Sequence, residues 1–159
     1  MRLMLFVCLV VRVAIGAPWM TGQENPAVAQ NAHQTAPFGP WQTVDDKTGK
    51  VNAVVKITEE NGILYGTIEK LVNPRPDDPS PQCTRCDGAL KDRPLVGLRI
   101  LWGMRPVDDH WAGGQILDPD NGKTYSCVLT VADEGNRLKV RGFIGLSLLG
   151  RTQYWLREK

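Results

Sequence analysis

Lys139-Val140-Arg141-Gly142-Phe143-Ile144-Gly145-Leu146-Ser147-Leu148-Leu149-Gly150-Arg151-Thr152-Gln153-Tyr154-Trp155 is the stretch that decides the fold. It reads as a penultimate strand, a tight Gly-bracketed apolar corner and a last strand. An antiparallel barrel needs such a corner to bring its final strand back onto its first. Gly142, Gly145 and Gly150 accept backbone angles that residues with a Cβ avoid. Ile144, Leu146, Leu148 and Leu149 are expected to pack as a plug over one barrel end, with Arg141 and Arg151 flanking it.

Upstream of the corner, from Trp41 onward, the chain alternates strand and turn. Residues 42–45 open the first strand and Asp46-Lys47-Thr48-Gly49 turns it. Val51, Ala53, Val55 and Ile57 alternate with Asn52, Val54, Lys56 and Thr58, the period of two that marks a strand. Asn61-Gly62 supplies the positive φ angles of a type I′ hairpin turn, and the next strand covers residues 63–71. Residues 72–94 form the one long irregular segment, rich in proline and carrying Cys83-Thr84-Arg85-Cys86. Strands follow at 95–105, 111–118, 123–131, 137–143 and 151–157, separated by turns of Asp, Asn, Gly and Pro. No amphipathic helix or internal repeat interrupts the series. The pattern predicts an all-β domain of about eight strands, an antiparallel up-and-down β-barrel with a β-sandwich as the alternative. A barrel of that size either fills with its own side chains or holds one small ligand.

The 159 residues suffice for one domain with a real core, and a net charge of +2 with 23% charged residues creates no strong field for nucleic acid. Residues 1–16 read as a secretory signal, with Arg2, an apolar run at 3–11 and small residues at 14–17. That run is shorter than the roughly 20 residues a spanning helix needs, so no stable membrane span is expected after cleavage. Cleavage sites compete after Gly16 or Ala17 and after Ala29. The later cut removes Arg2, Arg12 and Glu24 and leaves a net charge of +1. The expected organisation is therefore residues 1–29 as signal peptide and flexible lead-in, 30–37 as a disordered linker and 38–159 as the barrel domain.

Several motifs carry a resemblance: Trp41-Gln42-Thr43-Val44-Asp45-Asp46-Lys47-Thr48-Gly49, Cys83-x-x-Cys86 with Gly88, Pro94-Leu95-Val96-Gly97, Trp111-Ala112-Gly113-Gly114-Gln115-Ile116-Leu117-Asp118-Pro119, Gly122-Lys123-Thr124-Tyr125-Ser126-Cys127, and Arg141 to Gly145 with Gly150-Arg151-Thr152. In this order, over about residues 38 to 158, they resemble the DUF2147 family, exported bacterial proteins of unknown biochemical function. The resemblance implies a calycin-like, lipocalin-type barrel. Lipocalins carry Gly-x-Trp at the first strand, here Gly39-Pro40-Trp41, and a late Arg that packs across that Trp, a place open to Arg151 or Arg157. Such a cation–π contact contributes roughly 0.5–2 kcal/mol to structural barrel closure. The family offers no catalytic residues to carry over. With the signal, the resemblance implies a periplasmic or secreted bacterial protein.

Candidate sites divide into structural and functional readings. Cys83, Cys86 and Cys127 are disulfide candidates in an oxidising compartment, as Cys83–Cys86 or Cys86–Cys127. A redox Cys-x-x-Cys normally opens a helix, and this one lies among prolines. Zinc needs four ligands, and only distant His33 or His110 supplement the cysteines. Asp108-Asp109-His110 and residues 118–122 read as hairpin turns, the second lacking the closing Glu of a calcium loop. Arg141 and Arg151 either bind a carboxylate or phosphate headgroup at the barrel mouth or cap the corner by bonding backbone carbonyls. Nucleophile elbow, phosphate loop and His-Glu-x-x-His are all missing from the sequence, so no enzyme, cofactor or metal is expected.

Two functions fit. The first is a periplasmic carrier or sensor for a small apolar or amphipathic ligand, with Trp102, Trp111, Tyr125 and Tyr154 as wall residues beside Arg141 and Arg151. The second is an envelope interaction module whose Pro/Cys-rich loop, residues 73–94, docks a partner protein.

Overall fold

The computed structural model describes residues 36–46, 48–72, 74, 77–78, 80–146 and 148–159. The expected signal segment and the linker up to residue 35 lie outside them. Eight strands follow one another: β1 (Gly39–Val44), β2 (Val51–Glu60), β3 (Ile63–Leu71), β4 (Arg99–Val107), β5 (His110–Asp118), β6 (Lys123–Ala132), β7 (Arg137–Phe143) and β8 (Gly150–Arg157). Each pairs antiparallel with the next, and β8 pairs with β1 to close the barrel. Tight turns enforce this order. Asn61 and Gly62 take φ of 54° and 76° between β2 and β3, the left-handed values a two-residue hairpin demands.

The fourth strand starts at Arg99, not at residue 95. Leu98 N–H turns back to the Leu95 carbonyl, and Gly97 N–H donates to Ile68 O, so residues 95–98 form a bend before the ladder begins. The preceding connection is a small lobe tied to itself by Cys83 N–H to Arg93 O and Leu95 N–H to Pro81 O. It rests on the β5–β6 turn, where the Arg85 Nη1 donates to Asp120 O at 2.7 Å. A Cβ at Gly122 would lie 1.8 Å from the Arg85 carbonyl oxygen, so only glycine lets the lobe sit this close.

The two barrel ends differ. One is shut: Trp41 is fully buried, its indole Nε1 donates to Pro37 O at 2.7 Å, and the Arg157 guanidinium lies 4.2 Å from the Trp41 ring centroid. Arg157, rather than Arg151, thus supplies the late arginine. It donates to Gly135 O, to Phe38 O at 2.9 Å and to Ala36 O at 3.0 Å, and burial lowers its pKa from the usual guanidinium value. Ala36 and Pro37, expected in a disordered linker, are held by these bonds. Above this closure, Ile57, Leu64, Leu101, Met104, Leu129 and Leu138 fill the interior and are almost inaccessible to water.

The other end is open, and the apolar corner does not plug it. Ile144, Leu146, Leu148 and Leu149 are 63%, 74%, 86% and 78% exposed. Alternation along β7 explains this: Val140 and Gly142 face the interior, so Arg141 faces out. Its guanidinium donates to Thr152 Oγ1 at 2.9 Å and to Leu148 O at 3.3 Å, holding the corner on the outer side of the wall. Gly145 takes the positive φ, 70°. Gly150 serves close approach instead, because a Cβ there would meet Gly142 O at 2.7 Å.

The closing seam is short. Among the described residues, only Trp41↔Arg157 and Gln42↔Leu156 are in register between β1 and β8. Toward the open end, Arg151 of β8 instead reaches Asp46 beyond β1 through an ion pair.

Candidate functional site

Alternation along the strands, interrupted by irregularities in the β2–β3, β3–β4 and β5–β6 ladders, sends one set of side chains inward, and at the open end that set is largely small or aliphatic. Val55 from β2, Ile68 from β3, Ile100 from β4, Ile116 from β5 and Val140 from β7 surround a cavity of about 300 Å³. Trp155 of β8 forms part of its lining and is 2% exposed. The indole Nε1 of Trp155 has no hydrogen-bond partner among the described residues. An unmet donor in such a place costs about 1–3 kcal/mol.

Polar groups collect at the mouth. Asp45, Asn52, Asp118, Asp120, Asn121, Tyr125, Arg151 and Gln153 all border the cavity. Asp118 is the organiser of the β5–β6 turn: its carboxylate accepts from Asp120 N–H at 2.9 Å and from Asn121 Nδ2 at 2.8 Å. Asn121 Nδ2 also donates to the Tyr125 hydroxyl at 3.0 Å. Asp45 plays the same part in the β1–β2 turn, accepting from Thr48 N–H and Thr48 Oγ1. Arg151 Nε donates to Asp46 Oδ2 at 2.7 Å and its Nη2 meets the same oxygen. Gln153 Nε2 approaches that oxygen at 3.4 Å.

The expected site residues are distributed as follows. Tyr125 and Arg151 border the cavity; Trp102, Trp111, Tyr154 and Arg141 do not. Trp102 lies on the outer face, its Nε1 donating to Gln115 Oε1 at 3.3 Å. Trp111 packs half-buried against the core toward the shut end, in register with Leu129. Tyr154 faces outward under Arg137, 4.7 Å from guanidinium to ring centroid. Arg141 braces the corner, which is the structural role weighed for it, and Arg151 spends its fork on Asp46.

Sequence reasoning left Trp155 as one of the large residues that could fill the interior or line a cavity, without choosing it as a wall residue, and did not single out Gln153. The signal was present: once Arg157 is placed inward over Trp41, period two sends Trp155, Gln153 and Arg151 inward and Tyr154 outward.

The cysteines separate into two environments. Cys83 and Cys86 form a disulfide with Cα atoms 5.3 Å apart, within the range such a bridge requires. Cys127, grouped with them from sequence, stays unpaired and buried. It lies in the middle of β6, in register with Gly114 and Gly142, away from the lobe. Burial pushes its thiol pKa up to about 12, so it remains protonated and unreactive. Among the described residues no group of three His, Cys, Asp or Glu side chains is placed to hold a metal ion, and no helix is long and apolar enough to cross a membrane.

Comparison with known proteins agrees with this architecture. Residues 39–157 match the family described as "Uncharacterized protein conserved in bacteria (DUF2147)". No curated protein matches the chain. Among solved structures, it is similar to protein HP1028 from Helicobacter pylori, described as belonging to the lipocalin family. The TM-score is 0.67 at 21% identity, over 79% of this chain and 84% of that one. At that identity the likeness concerns the fold.

Proposed function

The chain belongs to the DUF2147 family, and on that premise we propose that it is an exported binding protein that holds a small amphipathic molecule in the open half of its barrel. The observation that carries this reading is the 300 Å³ aliphatic cavity opening through a polar rim. Its volume lies at the lower bound of ordinary small-molecule sites. Burying one methylene contributes about 0.8 kcal/mol, so micromolar binding, about 8 kcal/mol, asks for roughly ten methylenes' worth of apolar contact. An apolar interior takes the tail; a ring of carboxylate, amide and hydroxyl groups takes the head. Export accords with the signal-like residues 1–16 and with a disulfide in the lobe, which persists in oxidising compartments.

The alternative, docking of an envelope protein by residues 73–94, has less support. Cys83 and Cys86 are buried in the protein's own core and the lobe is bonded to the β5–β6 turn.

Native mass spectrometry of the full chain expressed in a bacterium and recovered from its envelope tests the carrier reading. The expected result is an extra mass of a few hundred daltons that disappears on denaturation and is absent from Val140→Trp, whose indole fills the cavity. An apo mass for the native protein, together with no uptake of any amphiphile added afterwards, would refute the reading.

A further inference from the structure

The water-facing hydrophobic surface is gathered on one hairpin. Among the described residues, eight large hydrophobic side chains stand well exposed, and six of them belong to the β7–β8 hairpin: Ile144, Leu146, Leu148, Leu149, Tyr154 and Leu156. A patch of this kind marks an interaction surface. The corner that carries the four aliphatics is a built turn. Leu149 N–H donates to Leu146 O at 3.1 Å, and Arg141 donates to Leu148 O at 3.3 Å. Side chains 63–86% exposed on such a turn form a projecting tip, not a groove.

The same hairpin is basic on its outer face. Arg137, Lys139 and Arg141 take successive outward positions on β7. The residues in register with them, Ala132, Thr130 and Val128 on β6 and Leu156, Tyr154 and Thr152 on β8, are uncharged. Asp133 answers Arg137 at the shut end, and Asp46 answers Arg151 at the open end. Lys139 is exposed between them. The other turns of the mouth carry both signs, with Lys50 across the β1–β2 turn from Asp45 and Lys123 opposite Asp118.

We infer that the β7–β8 hairpin docks the protein on an anionic lipid bilayer, the corner entering the acyl boundary while Lys139 and Tyr154 meet the headgroups. The lengths match. Lys139 and Tyr154 are partners across the hairpin, four residues back from Phe143 and Gly150, which is about 13 Å at roughly 3.3 Å of rise per residue. An apolar tip sunk by about 5–10 Å leaves them at headgroup level. A tyrosine ring and a lysine stem both suit that mixed layer. A protein partner would have to supply a pocket for four aliphatics on a projecting turn; a bilayer needs none. Docking on this tip brings the cavity mouth to the bilayer, but the inference requires no guest in the cavity.

Flotation of the full-length purified protein with vesicles of phosphatidylcholine, alone or mixed with phosphatidylglycerol, tests this. Binding to the mixed vesicles is expected to be roughly fivefold tighter, the share of one cation near the surface, and added salt should remove that margin. Lys139→Gln should remove it too, while leaving binding to phosphatidylcholine unchanged. The triple variant Leu146→Ser, Leu148→Ser, Leu149→Ser keeps residues 1–35, so its difference from the native chain reports on the corner alone. It should bind both kinds of vesicle at least roughly a hundredfold more weakly, since three leucines no longer leave water. Leu148→Trp should bind like the native protein and be quenched by brominated acyl chains beyond the native tryptophans. Equal binding by the native and triple-serine proteins overturns the inference, because attachment then lies elsewhere. So does Leu148→Trp without added quenching. Absence of vesicle binding by the native protein overturns it as well, and a native dimer that the serine variant splits would then assign the corner to a second copy of the chain.

Discussion

Arg157→Met should destabilise the barrel far more than Arg151→Met, although sequence alone leaves both as candidates for the same role. Arg157 stacks on Trp41 at 4.2 Å and donates to three backbone carbonyls, those of Gly135, Phe38 and Ala36. The cation–π contact contributes about 1–2 kcal/mol when partly desolvated. Each charged hydrogen bond contributes about 1.5 kcal/mol or more when buried; these are half-buried, and water replaces some of the lost bonding. A net loss of about 3–4 kcal/mol follows. For a domain of this size that corresponds to roughly 10–15 °C in Tm. Arg151 forms its ion pair with Asp46 at the surface, its side chain 60% exposed, and an exposed pair contributes under about 1 kcal/mol. Urea titration followed by tryptophan fluorescence reads both variants, since Trp41 reports directly on the shut end. Equal midpoints for the two variants would refute the assignment of barrel closure to Arg157. Arg157→Lys should recover part of the loss through its charge but not the three-way bonding.

Replacing Leu146, Leu148 and Leu149 together by Ser should change stability by less than about 0.5 kcal/mol, because all three are exposed; a loss above 2 kcal/mol in a thermal melt would restore the plug. Reducing the Cys83–Cys86 bridge should lower stability by about 2 kcal/mol, the loop-closure value for so short a loop, measured as a shift in urea midpoint with and without dithiothreitol. Cys127 binds its proton more tightly folded, at a pKa of about 12 against 9.0. Its contribution is therefore fully present below pH 9 and lost as pH rises from 9 toward 12. Cys127→Ala should flatten the stability-versus-pH curve over that window, and an unchanged slope would contradict the burial argument.

The fold was readable because its information is local. Period two in Val51 to Thr58, Asn61-Gly62 at a hairpin, and glycines around residue 145 each act within a few residues. The site was less readable because it depends on phase. Val54 and Val55 are both buried across an irregularity in the β2–β3 ladder, and another register shift separates Trp111 from Gly114. Each such shift moves every later side chain of that strand to the other face. Large aromatics were therefore assigned to the cavity by size, while Trp102 and Tyr154 point outward and the walls are mostly aliphatic, with Trp155 and Tyr125 the aromatics among them. The corner misled for a different reason. Its apolar composition argues for burial, but Arg141 on the outer face ties it outside.

A cylinder sealed along its full height is entered only from its ends. Among the described residues this one is stitched between its first and last strands at two rungs, Trp41↔Arg157 and Gln42↔Leu156, and toward the open end the two edges are tied by the surface pair of Asp46 and Arg151. A clasp of that strength is opened by thermal motion alone, and dissolved ions loosen it further, because charges in contact with water are screened over about 8–10 Å at ordinary ionic strength. This side of the open end is therefore the part of the wall that loosens as salt rises, while the shut end keeps the bonds of Arg157 to the carbonyls of Gly135, Phe38 and Ala36.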